Sequence, residues 1–152
     1  NEYAPLGTEA SVTNTATVSG TGITPVTAAE TVNAEAAPNL AITKSVSPVP
    51  VTENGTLTYT FRIQNYGSVA ATNTTGVVIT DTFAPVLSNL TAALNGTAWT
   101  AATDYTYNEA TGTFSSTAGA ITVPAATYTQ DSTTGAWVVT PGESTLVITG
   151  TV

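Results

Sequence analysis

Alternation of period two runs through three stretches of this chain. In each it carries one polar residue onto an apolar face. Over residues 12–18 that face reads Val12, Asn14, Ala16, Val18; over residues 40–46 it reads Leu40, Ile42, Lys44, Val46; over residues 77–83 it reads Val77, Ile79, Asp81, Phe83. Strand side chains point alternately to opposite faces, so an amide, an amine and a carboxyl are expected to face a shared core. Such groups are costly to bury unless they satisfy one another. They are also the three groups that a Lys–Asn isopeptide bond requires.

The rest of the sequence agrees with strands. Thr is the commonest residue, 35 of 152, and β-branched side chains favour pleated, half-buried surfaces. No window repeats apolar residues at helical spacing over three turns. Charged residues make up 8%, against about 25% in an ordinary soluble domain. There is no Cys, Met or His, which excludes disulfides, thiol catalysis and His-based acid–base chemistry, and makes zinc ligation untenable. No calcium-loop spacing occurs among the ten acidic residues, so no metal and no cofactor is expected. With a net charge of −8 and only Lys44 and Arg62 as bases, the chain cannot neutralise a phosphate backbone or an anionic membrane surface. Nucleic acid is excluded as a partner, and without a long apolar run so is membrane insertion. No signal peptide is visible, so an exported protein would be present here in its mature form. A lack of oxidisable residues suits the outside of a cell.

Two parts are expected. Residues 1–37 form an extended arm. Within it residues 1–10 read as a flexible lead, residues 12–18 as a strand, Gly20-Thr21-Gly22 as a turn and residues 26–32 as a weaker strand. Residues 38–152 carry short strands at regular spacing. They run over residues 40–46, 57–64, 77–83, 87–94, 98–100, 105–107, 113–115, 120–123, 127–129, 136–140 and 145–152. Asn54-Gly55 and Asn95-Gly96 mark turns between them. This is the pattern of an Ig-like antiparallel β-sandwich. The apolar strand at 145–152 is expected at a sheet edge, which would invite pairing with another chain.

Several of these segments resemble a bacterial surface repeat, the eleventh catalogued domain of unknown function. They are Pro38-Asn39-Leu40-Ala41-Ile42-Thr43-Lys44-Ser45-Val46-Ser47-Pro48, Gly55-Thr56-Leu57-Thr58-Tyr59-Thr60-Phe61, Asn65-Tyr66-Gly67 and Val78-Ile79-Thr80-Asp81-Thr82-Phe83. The likeness is good over residues 38–85 and looser beyond. In that family Asn-Thr-Ala-Thr-Val closes a repeat; here it stands at residues 14–18, ahead of the opening motif. The chain is therefore cyclically shifted relative to one repeat. The resemblance implies an Ig-like domain of an exported surface protein, with no known catalytic activity.

A closing hairpin placed before the opening strand would complete a neighbouring domain rather than its own. Val12, Ala16, Val18, Val26 and Val32 would be donor positions, inserted by strand addition into the next copy. Repeated head to tail, such a contact gives an open fibre. Each polar residue also has an ordinary reading. The Lys44 amine can reach solvent, Asp81 can cap a turn and pair with it, and Asn14 can satisfy backbone groups. Their shared parity raises the covalent reading. A neutral Lys44 attacks the Asn14 carboxamide, a protonated Asp81 polarises it, and ammonia leaves, as Cna-type surface domains join a Lys and an Asn with the help of an acid. The four matches to the N-glycosylation acceptor, beginning at Asn54, Asn73, Asn89 and Asn95, arise easily by chance in a Thr-rich chain. Trp99, Tyr105, Tyr107, Phe114 and Trp137 read as packing residues rather than a carbohydrate groove. The expected function is that of a non-enzymatic subunit of an extracellular, cell-surface bacterial filament. The alternative is a stalk or adhesin module of a longer surface protein.

Overall fold

Alternation is expressed most fully in two long strands, β4 (Thr56–Asn65) and β12 (Gly142–Thr151). In β4 Leu57, Tyr59, Phe61 and Ile63 are buried; in β12 Ser144, Leu146 and Ile148 are. The two strands pair antiparallel along their whole length, with Leu146 opposite Phe61 and Ile148 opposite Tyr59. The computed structural model describes residues 9–152, so most of the lead expected at residues 1–10 lies outside the described residues.

Two sheets are built around this pair. The larger has the order β3-β4-β12-β6-β7, with β3 at Leu40–Ser47, β6 at Ser88–Leu94 and β7 at Thr97–Ala98. The smaller has the order β5-β9-β8, with β5 at Thr80–Thr82, β8 at Tyr105–Asn108 and β9 at Thr113–Ser116. Inward residues of both sheets meet in one core, joined by Ile121 and Val123 from a connecting segment. Phe83 anchors an aromatic cluster there, its ring centroid 4.7 Å from that of Tyr59 and 6.2 Å from that of Phe114. Tyr105 and Phe114 stack at 5.4 Å, and Trp99 and Tyr107 pack against the same core, as expected; Trp137 lies instead outside that cluster. A separate hairpin, β10 (Thr127–Gln130) with β11 (Trp137–Thr140), stands outside both sheets. The fold is an all-β antiparallel sandwich of the expected class, with an N-terminal hairpin arm.

Three expectations are corrected. The last strand is not at an edge: β12 lies between β4 and β6, and both of its backbone edges are paired. Its apolar residues are therefore those of a central strand. Residues 120–123 form no strand; only Val123 makes a bridge, to Ala71. The strand expected over 77–83 is reduced to β5, although Ile79 and Phe83 still point inward.

The chain enters the sandwich through an anchored segment. Asn65 is fully buried and its side chain holds four partners. Its Oδ1 accepts from the N–H groups of Asn39 and Gly67, each at 2.9 Å. Its Nδ2 donates to the carbonyls of Val69 at 2.7 Å and Pro124 at 3.0 Å. The Asn39 carbonyl in turn accepts from Tyr66 N–H at 2.8 Å. Residue 67 must be glycine because a Cβ there would lie 2.1 Å from the Ala37 carbonyl oxygen. Residues 37–39 thus continue in line with β3 instead of turning back over it.

Candidate functional site

The strands β1 (Glu9–Gly20) and β2 (Ile23–Glu35) form a hairpin longer than the sequence suggests. Their register is regular from Glu9 to Val18, pairing Val12 with Val32, Asn14 with Glu30, Ala16 with Ala28 and Val18 with Val26, and shifts only next to the turn. Cross-strand partners share a face, so all five expected donor residues, Val12, Ala16, Val18, Val26 and Val32, lie on one side. The other side carries Thr13, Thr15, Thr17, Thr27 and Thr31, with the Thr13 and Thr31 hydroxyls 2.8 Å apart. A hairpin with one apolar face ordinarily buries that face against a second layer. This one does not: Val12 is 50% exposed, and Val18, Val26 and Val32 are about two-thirds exposed. Its extensive contacts are made within the hairpin alone.

The sandwich shows the complementary defect. The outer edge of β3 and the outer edge of β5 are both unpaired among the described residues. An apolar groove opens between them, lined by Leu40, Ile42, Ile63, Val77 and Ile79. All of β3 is exposed, including Ile42, although its even residues face the same side as the buried residues of β4. Leu40 and Ile42 lie beside 77–79, and Lys44 lies beside Asp81, so the two walls of the seam run in the same direction.

One polar pair interrupts this seam. Lys44 Nζ donates a short, charge-assisted hydrogen bond to Asp81 Oδ2. Asp81 Oδ1 also accepts from Thr82 N–H at 2.9 Å. Around the amine, the ring centroids of Tyr59, Phe83 and Phe61 lie at 4.8, 5.3 and 5.5 Å. Aromatic faces attract a cation at that range, so the amine is held over apolar surface and aimed across the seam. The pair is only partly covered: side-chain exposure is 39% for Lys44 and 18% for Asp81. Of the three residues singled out by parity, the structure brings Lys44 and Asp81 together. Asn14 stands apart, on the exposed hairpin, at the middle of its apolar face.

The other base is also committed. On the outer face Arg62 forms a two-pronged pair with Glu143, including Nη2 to Oε2 at 2.7 Å, and that hydrogen bond holds the Glu143 carboxyl below its ordinary value. No group of ligand-type residues suited to a metal occurs among the described residues. No helix there is long and apolar enough to cross a membrane.

Sequence reasoning missed Glu30. Its even parity places it with Val26, Ala28 and Val32, and the cross-strand register sets it opposite Asn14 on that apolar face. No family model matches the chain, nor does any curated protein or solved structure. The likeness to the surface repeat therefore rests on the motifs quoted above.

Proposed function

We propose that this chain is the structural subunit of an extracellular, cell-surface filament, joined by insertion of the β1–β2 hairpin into the β3–β5 seam of another copy. The observation that carries this reading is a pair of matched defects: an apolar hairpin face without a core, and an apolar seam without a strand over it. Insertion removes both. It pairs free strand edges through backbone hydrogen bonds, and each exposed valine taken from water contributes up to about 2 kcal/mol. Insertion within the same chain is opposed by residues 37–39, which Asn65 and Gly67 hold in line with β3. The absence of Cys, Met and His and the resemblance to a surface repeat support an extracellular setting.

The same insertion supplies Asn14 to the Lys44–Asp81 pair, and an amide bond between subunits follows from the chemistry. Lys44 passes a proton to Asp81, a transfer that a dry site favours because it removes both charges. The neutral amine attacks the Asn14 carboxamide carbon. Asp81 hydrogen-bonds the developing oxyanion, delivers its proton to the departing nitrogen and takes one from the attacking nitrogen. An Asn14 Cγ–Nζ Lys44 bond forms, the Asn14 Cγ–Nδ2 bond breaks, and one ammonia leaves for each bond made. The only chemistry in this reading is self-modification.

Deletion of residues 1–37 tests the reading. It is expected to leave a folded sandwich that no longer assembles; filaments of unchanged length from the deleted chain overturn it. A full-length chain that stays monomeric at every concentration would point instead to a module of a longer surface protein. The cross-link is tested separately by mass. Assembled material should lose the mass of one ammonia per bond and yield a branched peptide joining β1 to β3, and neither should occur with Lys44→Ala, Asn14→Ala or Asp81→Ala. Unmodified Asn14 and Lys44 in assembled wild-type material would remove the bond but not the insertion.

A further inference from the structure

The seam and the hairpin each read as a ladder of side-chain rungs with one polar rung. Along the seam the polar rung is the Lys44–Asp81 pair; strand parity sets Leu40 with Val77 and Ile42 with Ile79, which line the groove on one side of it, and extends the ladder to Val46 with Phe83 on the other. On the hairpin they are Val18 with Val26, Ala16 with Ala28, Asn14 with Glu30, and Val12 with Val32. In these two orders the sequence is the same: apolar, apolar, polar, apolar. We infer that the polar rungs meet, so that Asn14 and Glu30 of one subunit face Lys44 and Asp81 of the next, with β1 running antiparallel to β3. The match fixes the depth of insertion, and the larger Val18–Val26 rung favours this direction.

This inference rests on the insertion proposed above and adds Glu30 to it. Its physical basis is the cost of every alternative. A slip of two residues keeps the face but moves the Glu30 carboxylate and the Asn14 amide onto Ile42 and Ile79, or onto Val46 and Phe83. There they find no polar partner, while Lys44 and Asp81 lose theirs. In the matched register Lys44 and Asp81 gain the Glu30 carboxyl group and the Asn14 amide as neighbours, and each polar group finds a hydrogen-bonding partner. A single polar position in an apolar seam specifies register in coiled coils by the same means.

Reversing the hairpin also lets the polar rungs meet, but it exchanges the outer rungs. Val18 then runs past Val46, and the smaller Ala10–Ala34 pair replaces the two valines opposite Leu40 and Val77. Direction matters for assembly. In the matched arrangement the turn at residues 21–22 points to the Leu40 end of the acceptor, and the exit of β2 emerges at its Val46 end. The donor's own β3 follows there in the same sense as the acceptor's β3, through the straight segment 37–39. Neighbouring subunits then repeat head to tail and the chain of contacts stays open. The reversed hairpin would bring two Leu40 ends together and close a reciprocal pair. Along the matched path about fourteen extended residues separate Leu40 of one subunit from Leu40 of the next, which limits the axial repeat to roughly 46 Å.

The chain has no cysteine, so paired cysteines report register cleanly. Two full-length variants are compared under mild oxidation after assembly, with the disulfide located in a digest. Ala16→Cys with Ile42→Cys joins positions adjacent in the matched arrangement; Ala16→Cys with Val46→Cys joins positions adjacent in the reversed one. The first is expected to link at least about tenfold more than the second, because the reversed arrangement leaves the Val18–Val26 pair outside the seam. A dominant 16–46 link overturns the direction while leaving insertion intact. If neither links in filaments, and the chain lacking residues 1–37 still assembles, insertion itself is wrong. Adding Asn14→Val and Glu30→Val to the first variant tests the depth. Assembly should persist because the face stays apolar, and the 16–42 link should lose its dominance as slipped pairings appear. An undiminished 16–42 link in that variant, or an axial repeat well above 46 Å in imaged filaments, overturns the polar-rung match.

Discussion

Ile148 and Val26 are β-branched residues on the apolar faces of long antiparallel strands, yet Ile148 has no exposed surface and Val26 is 65% exposed. The difference lies in what stands opposite. Ile148 belongs to the central strand of a five-stranded sheet and sits in the shared core with Phe83, Phe114 and Ile121. Val26 belongs to a two-stranded hairpin whose apolar face has no layer over it among the described residues. Alternation produces an amphipathic strand in both places; only a second layer produces a core. The sandwich therefore closes its own core apart from one seam, whereas the apolar face of the hairpin stays exposed.

The contrast is sharpest for core deletion. Leu146→Ala empties a fully buried site opposite Phe61 and Leu94, and should destabilise the sandwich by about 3–5 kcal/mol. Denaturant unfolding of the unassembled chain, followed by the near-ultraviolet signal of the core aromatics, measures this. Asn65→Ala comes next. It strands the N–H groups of Asn39 and Gly67 and the carbonyls of Val69 and Pro124, some of them buried, and should cost roughly 2–4 kcal/mol. Because it also frees residues 37–39, it should loosen the hairpin's attachment. Faster amide exchange at Asn39 and Tyr66 than in the rest of β3 and β4 would show that.

On the hairpin the expected order reverses. Val18→Thr with Val26→Thr should change the stability of the unassembled sandwich by less than about 0.5 kcal/mol, since neither side chain supports its core. The same pair should weaken assembly strongly, because it places two hydroxyls against Leu40 and Val77. Sedimentation of the variant against wild type measures the second effect, and thermal unfolding the first. A large loss of sandwich stability would mean that the hairpin supports its own sandwich after all.

How far the sequence could be read follows from the same comparison. The strands β4, β6, β8, β9, β11 and β12 were legible because alternation and turn residues bound them on both sides, as Asn95-Gly96 does between β6 and β7. The parity of Lys44 and Asp81 was legible too, and the ion pair follows from it. The place of β12 was not, because period two reveals a buried face but not how many edges are paired. Asn65 stood out only as part of the Asn65-Tyr66-Gly67 motif, since its role depends on Asn39, Val69 and Pro124, which converge on it only in the fold. Glu30 was invisible for a related reason: its meaning lies in the register that places it opposite Asn14.

The smallest expected effect concerns the β10–β11 hairpin, which like β1–β2 stands outside both sheets but carries its own turn chemistry. Asp131 accepts from the N–H groups of Thr133 at 2.7 Å and Thr134 at 2.8 Å, and these bonds hold its carboxyl below the ordinary value. A carboxyl whose value is lowered on folding stabilises above its unfolded value, and that contribution is lost as pH falls through the lower, folded one. Acidification from about pH 4 downward should therefore loosen the loop at 131–136 before the core responds. Amide exchange at Thr133 and Thr134 should rise over that range while Leu146 and Ile148 stay protected. Asp131→Asn keeps an acceptor oxygen but removes the titration, so the loop should then show no such dependence on pH. If the amides of Thr133 and Thr134 exchange identically in both proteins across that range, the carboxylate is not what orders this turn.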